Sequence, residues 1–189
     1  GSSHRFRDWK KTGHGHVNLK EAVAQSCDVY FYELALKLGI DNLHDFLAGF
    51  GLGARTGIDI PSEKGGTLPS REWKRTRFSR REDQIWYPGE TLITGIGQGY
   101  LQTTPLQLAH ATAIVAARGQ RFRPMLIAGV RDPVTGEDVM FEPVALPPVR
   151  LIDESLWQEA IDTMVAVVHG PTGTARRIGE DAPYRIAGK

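Results

Sequence analysis

The sequence predicts an α+β domain. Capped helical runs occupy residues 18–50 and 104–117, and a turn at Thr135-Gly136 separates two β-prone runs. An amphipathic run at 154–168 then leads to a β-prone stretch at 184–187. Helices, a hairpin, a further helix and a terminal strand are segregated elements, not the strict alternation of a parallel-sheet fold.

Each element has a local cause. Residues 1–16 are basic, polar and glycine-bearing, and read as loop with a turn or short strand. Asn18 opens a helix: its side chain caps free N–H groups, and Glu21 completes a capping box three residues on. Ser26-Cys27-Asp28 interrupts the pattern, and Asp28 is expected to cap a second helix that stops at Gly39. A third helix runs from Asp41 to Phe50 and ends before Gly51. From Gly53 to Pro69, glycines and a proline break short apolar runs, giving loops and a short hairpin around Ile58-Asp59-Ile60. Residues 71–83 carry nine charges in thirteen positions and read as an exposed, mobile, solvated loop. The sharper reading of that segment is contact with an anionic surface or partner.

Gly95-Ile96-Gly97-Gln98-Gly99 lacks the flanking strand and immediate helix of a dinucleotide site, so it reads as a close-packed loop. Thr104, Pro105 and Gln107 start a helix that ends near Ala117, before Gly119. Met125–Val130 and Asp138–Phe141 form the hairpin, and Pro143, Pro147 and Pro148 make a stiff link. A helix from Glu154 to Val168, a turn at 171–174 and a strand beginning at Tyr184 complete the chain. Trp9, Trp73, Trp86 and Trp157 read as packing or covering residues, and His44 and His110 as hydrogen-bonded structural ones.

Composition narrows the function. The chain has 189 residues, 41% hydrophobic and 24% charged, the mix of a folded domain that needs no disulfide staples. Its 23 basic and 22 acidic residues leave a net charge of +1, which argues against nucleic acid as partner. No apolar run is long enough to span a bilayer, and a single cysteine rules out an intrachain disulfide.

No G-x-S-x-G and no S-x-x-K occurs in the chain. What remains is Ser26-x-Asp28 at a helix junction and Lys189 after Ala187-Gly188. A hydroxyl and a lysine can together relay protons in acyl transfer, the hydroxyl handing a proton to a leaving amine. The residue pattern alone favours the plainer reading of these as a helix stop, a cap and an exposed terminal lysine.

Arg7-Asp8-Trp9-Lys10-Lys11, Gly13-His14-Gly15, Ser26-Cys27-Asp28-Val29-Tyr30-Phe31-Tyr32, Gly95–Tyr100, Thr104–Gln107, Gly173-Thr174-Ala175 and Lys189 stand in one order. In that order the chain resembles a penicillin-binding protein transpeptidase domain, over essentially its whole length. More narrowly it is similar to the monofunctional, elongation-specific class of rod-shaped Gram-negative bacteria. The resemblance implies a serine transpeptidase fold with a helical block packed on an antiparallel sheet. It also implies three motifs, S-x-x-K, S-x-N/D and K-S/T-G. Ser26 and Asp28 match the second, and Lys189 the first residue of the third. Residues 1–189 are therefore expected to be the C-terminal part of the domain, inactive alone, with the nucleophile upstream and the last motif incomplete.

The implied activity is D,D-transpeptidation of peptidoglycan stem peptides, with β-lactams acylating the same serine and no catalytic cofactor. Ser26 would shuttle a proton, Asp28 would hold the nucleophile's lysine or position the peptide, and Lys189 would bring positive charge to the substrate carboxylate. Asp28 replaces the superfamily's more common Asn and offers no amide N–H. The implied partners are stem peptides, β-lactams and the glycosyltransferase and scaffold proteins of the elongation complex. The implied location is the periplasm, anchored to the inner membrane by an N-terminal helix outside these residues. A D-Ala carboxypeptidase, a β-lactamase-like hydrolase or a non-enzymatic docking module are the alternatives.

A structural zinc site is the last expectation. If Ser26 and Asp28 face the cleft, Cys27 points behind it, where Asp8 and His14 can join it as oxygen and nitrogen ligands. His16 or His4 can replace His14, and water or an upstream residue would be the fourth ligand. The competing reading is a buried free thiol with His14 in a surface loop.

Overall fold

Asn18 and Glu21 start the first helix as their spacing requires. In the computed structural model, which describes residues 5–189, the Asn18 side chain accepts from the Glu21 N–H at 2.9 Å. The Glu21 carboxylate accepts from the Asn18 N–H at 3.0 Å in return. This helix, α1 (Leu19–Ala24), is followed by α2 (Asp28–Gly49). The α2 path breaks at Gly39, where φ is 76° and ψ 158°, so the two expected helices abut across a kink. Asp28 does not cap α2: Cys27 holds that position, and Asp28 is the first helical residue. Its carboxylate is used elsewhere, accepting from the Trp9 N–H at 3.1 Å.

The 53–69 segment forms no hairpin, because carboxylates take the N–H groups that a strand partner would need. Glu63 accepts from the Thr56 N–H and hydroxyl at 2.7 and 2.6 Å and from the Gly57 N–H at 3.0 Å. Asp59 accepts from Leu126 and Ile127 at 2.6 and 2.9 Å. The same two bonds delay the expected Met125–Val130 strand, which starts only at Gly129 as β2 (Gly129–Arg131). It pairs antiparallel with β3 (Asp138–Met140), Val130 opposite Val139. Outside this hairpin, β1 (Arg121–Phe122) pairs antiparallel with β4 (Ala145–Leu146), so part of the expected proline-rich link is strand. The α+β class holds, with antiparallel pairing in two small ribbons.

Residues 71–83 are mostly exposed, as their charge demands, but not irregular. Ser70 caps α3 (Arg71–Arg77), accepting from the Trp73 N–H at 3.0 Å, and a 3₁₀ turn covers Arg81–Gln84. Lys74 departs from the solvated reading altogether, at 3% exposure. Its ammonium donates to the Ile85 carbonyl at 2.6 Å and pairs with Glu90. The rings of Tyr87, Tyr100 and Trp86 surround it at 5.2, 5.7 and 5.9 Å. Glu90 belongs to α4 (Pro88–Thr94), a helix the sequence pattern did not announce.

Thr104 and Gln107 cap α5 (Pro105–Ala116) reciprocally, at 3.1 and 2.9 Å. The Gln107 amide then donates to the Ala54 and Gly65 carbonyls at 2.6 and 2.7 Å, tying the 53–69 segment to α5. Trp157, on α6 (Ser155–His169), is 2% exposed and packs with Phe50 and Ile114 in the core. Truncating it to alanine should destabilise the domain by about 3–5 kcal/mol, read from the urea midpoint of the full-length protein. His44 and His110 are hydrogen-bonded to the Pro69 and Phe122 carbonyls at 3.2 and 3.0 Å, as expected of structural histidines.

After a turn at 171–174 and α7 (Arg176–Gly179), the expected strand from Tyr184 does not form: 184 lies in a bend, 185–189 are irregular, and the segment pairs with no strand among the described residues. Its N–H groups go to α6 instead: Ile186 donates to the His169 ring at 3.0 Å and Gly188 to the Met164 carbonyl at 3.1 Å. That packing brings Lys189 back towards the start of α2.

Candidate active site

The turn between α1 and α2 is shaped by a strained serine. Ser26 has φ of 54°, the left-handed region that costs an L-residue energy and that persists only where surroundings hold it. The Cys27 N–H returns to the Ala22 carbonyl at 2.9 Å and closes the turn. Lys189 donates to the Ser26 hydroxyl oxygen at 2.5 Å. The Thr174 hydroxyl lies 3.4 Å from the same oxygen, and the Thr174 N–H is fixed on the Ala24 carbonyl at 3.1 Å.

Ser26, Asp28, Phe31, Gly95, Ile96 and Lys189 line a cleft of about 280 Å³. A side chain at Gly95 would sit 2.4 Å from the Ala35 Cβ, so this glycine lets α4 close on α2 beside the cleft. Gly95 is thus close-packed, as expected, whereas Gly97, Gln98 and Gly99 are exposed and a side chain at Gly97 would meet open space. Burial pushes the Lys189 ammonium below its usual pKa, and the Asp28 carboxylate opposes that shift. A lysine so balanced holds its proton less tightly and is suited to exchange with a neighbouring hydroxyl.

Behind the turn, Asp8, His14 and Cys27 converge. The His14 Nδ1 is 3.1 Å from the Asp8 Oδ2, and the Cys27 Sγ is 3.3 Å from the same oxygen. All three ligand atoms lie within 4.8 Å of one another, and all three side chains are nearly inaccessible. Tetrahedral zinc separates its ligand atoms by roughly 3.3–3.7 Å, and the Asp8 oxygen lies at about that separation from the His14 nitrogen and the Cys27 sulfur, so the residue types suit zinc. Burial and the Asp8 carboxylate both raise the Cys27 thiol pKa. Burial also pushes the Asp8 carboxyl up, but bonds from the Lys10 N–H, Cys27 and His14 outweigh it and leave the pKa lowered. His16 is exposed and outside the cluster, and His4 lies outside the described residues.

The structure therefore brings Ser26, Asp28 and Lys189 to one cleft and Asp8, His14 and Cys27 to a second site behind it. Two participants escaped sequence reasoning. Thr174 stood in a quoted motif without a role, and its signal was the adjacent Gly173, where a side chain would sit 2.3 Å from the Val167 carbonyl oxygen. Trp9, read as a covering aromatic, donates its indole N–H to the Ser26 and Gln25 carbonyls at 2.9 and 3.2 Å.

A left-handed serine bonded to a lysine 163 positions away, on a helical block with antiparallel ribbons, is an arrangement able to pass a proton between ammonium and hydroxyl. The penicillin-binding protein transpeptidase domain model matches residues 1–189, and the chain belongs to that family. It is 41% identical over 188 residues to the peptidoglycan D,D-transpeptidase MrdA of Haemophilus influenzae, covering 100% of this chain and 28% of the relative. The chain thus spans less than a third of that relative's length. A crystal structure of Pseudomonas aeruginosa PBP2 in complex with WCK 5153 superposes with a TM-score of 0.86 at 44% identity. That match covers 98% of this chain and 40% of the other. PBP2 of Helicobacter pylori, in its complex with MreC, gives 0.82 at 33% identity, covering 99% and 32%.

Proposed function

We propose that the protein containing this chain is a peptidoglycan D,D-transpeptidase working by serine acyl transfer, and that residues 1–189 are the C-terminal part of its catalytic domain. The observation that carries this reading is the Lys189–Ser26 bond at 2.5 Å across the cleft, in a chain of this family. No S-x-x-K occurs here, so the nucleophilic serine comes from outside these residues, and residues 1–189 alone are inactive.

The nucleophile's oxygen attacks the penultimate D-Ala carbonyl, forming an ester as the C–N bond to terminal D-Ala breaks. The proton lost from that oxygen passes to the departing nitrogen. Ser26, bonded to Lys189, is the relay, giving its own proton and taking another in return. An amine of a second stem peptide then displaces the ester and gives up its proton along the same path. Asp28, lining the cleft without bonding Lys189, keeps the lysine's charge favourable or positions the peptide. Lys189 also attracts the substrate carboxylate, and a β-lactam enters as an acylating mimic.

The full-length protein, given a D-Ala-D-Ala stem peptide and an amine acceptor, should release D-Ala and form the cross-linked amide. Release of D-Ala with only hydrolysed peptide would mark a carboxypeptidase. Partners in this reading are the glycosyltransferase and a scaffold protein of the elongation complex, the latter supported by the H. pylori complex. No described helix is long and apolar enough to cross a membrane. We place the domain in the periplasm, tethered by a helix outside these residues.

The Asp8, His14 and Cys27 set would hold a structural zinc, with the fourth ligand from water or an upstream residue. Zinc there supplies a rigid cross-link and no step of the reaction. Elemental analysis of full-length protein prepared without chelator should find stoichiometric zinc, lost in Cys27→Ser together with several degrees of Tm. Metal-free wild-type protein would sink the assignment.

A further inference from the structure

Trp9, we propose, is a positioning residue that aims the Ser26 hydroxyl for proton transfer; this rests on the relay reading of Ser26 above. The ring is 60% exposed, so burial is not its main contribution. Its polar groups instead grip the catalytic turn at both ends. The indole N–H donates to the Ser26 carbonyl at 2.9 Å and to the Gln25 carbonyl at 3.2 Å. The Trp9 backbone N–H donates to the Asp28 carboxylate at 3.1 Å. An edge contact with the His14 ring, centroids 5.6 Å apart, orients the indole.

These bonds fall where the backbone needs holding. Gln25 and Ser26 follow the end of α1, where carbonyls have no helical partner. The direction of the Ser26 carbonyl sets the Ser26 ψ, and with φ already at 54° no intrinsic preference keeps it there. Rotation of that peptide would swing the hydroxyl off Lys189. During acylation the ester C–O bond forms, the C–N bond breaks, and the nucleophile's proton travels through Ser26 to the departing nitrogen. A displaced hydroxyl slows only the part of the reaction that needs this proton.

The test uses the full-length protein with Trp9→Phe, Ser26→Ala and both together. Two substrates share one acyl group: the D-Ala-D-Ala amide, whose leaving nitrogen must be protonated, and a thioester, whose thiolate leaves without a proton. Trp9→Phe should lower the single-turnover acylation rate with the amide about tenfold at unchanged substrate affinity, and leave single-turnover acylation by the thioester within about twofold. In the Ser26→Ala background it should cause no further loss, because both changes disable one step. Equal slowing of amide and thioester, as from a loosened fold, would overturn the proposal. So would additive losses in the double variant, or an unchanged amide rate. Failure of the relay reading looks different: Ser26→Ala alone would then leave amide turnover at the wild-type rate.

Discussion

Ser26→Ala in the full-length protein should slow acylation by a β-lactam, and cross-linking of stem peptides, by about a hundredfold. The substitution removes one oxygen and leaves the turn intact, since neither the Cys27 N–H bond to the Ala22 carbonyl nor any of the Trp9 bonds uses the Ser26 hydroxyl. What it removes is the acceptor 2.5 Å from the Lys189 ammonium. Lys189 then loses its hydrogen-bond partner, and the leaving nitrogen must be protonated by water. Stopped-flow acylation and product analysis measure the loss. A variant as fast as wild type on both would exclude Ser26 from the proton path.

Lys74→Met should be the largest loss of stability outside the apolar core. The Lys74 side chain is buried and that of Glu90 partly buried, 4% and 15% exposed, and Glu90 also accepts from the Tyr87 N–H at 2.8 Å. Removing the ammonium leaves the Glu90 carboxylate without its counter-ion, and breaking a buried pair costs about 3–5 kcal/mol. Methionine keeps most of the stem's volume, so the loss reads the charge and not a cavity. The Lys74→Met/Glu90→Leu pair should recover much of the stability, because a buried ion pair exchanged for apolar groups is often neutral. Urea midpoints decide it: equal midpoints for wild type and Lys74→Met would show that Glu90 finds another partner. Because α4 carries Glu90 and leads into Gly95 and Ile96 on the cleft wall, the single variant should also slow acylation modestly.

The sequence by itself determined the elements whose signals are local. The Asn18–Glu21 and Thr104–Gln107 boxes each place a side chain within reach of backbone three residues away, so spacing suffices to start α1 and α5. The Val130–Val139 hairpin needs only its own turn, and Ser26, Asp28 and Lys189, which share one cleft, could be singled out because the motifs they match are short and ordered. Only the tertiary structure decided the rest. Asp28 lost its capping role to the Trp9 N–H, and Asp59 took the N–H groups of Leu126 and Ile127, bonds between residues 19, 67 and 68 positions apart. Lys74 left the solvated charge run because Glu90 and three rings, supplied by later segments, offset its desolvation. The 184–189 segment bonded to α6 in place of a strand. A carboxylate or ammonium can satisfy any donor or acceptor it reaches, so its partner depends on which distant segments the fold brings near. The Ser26–Lys189 contact spans 163 positions and exists only once α1, α2 and α6 have packed.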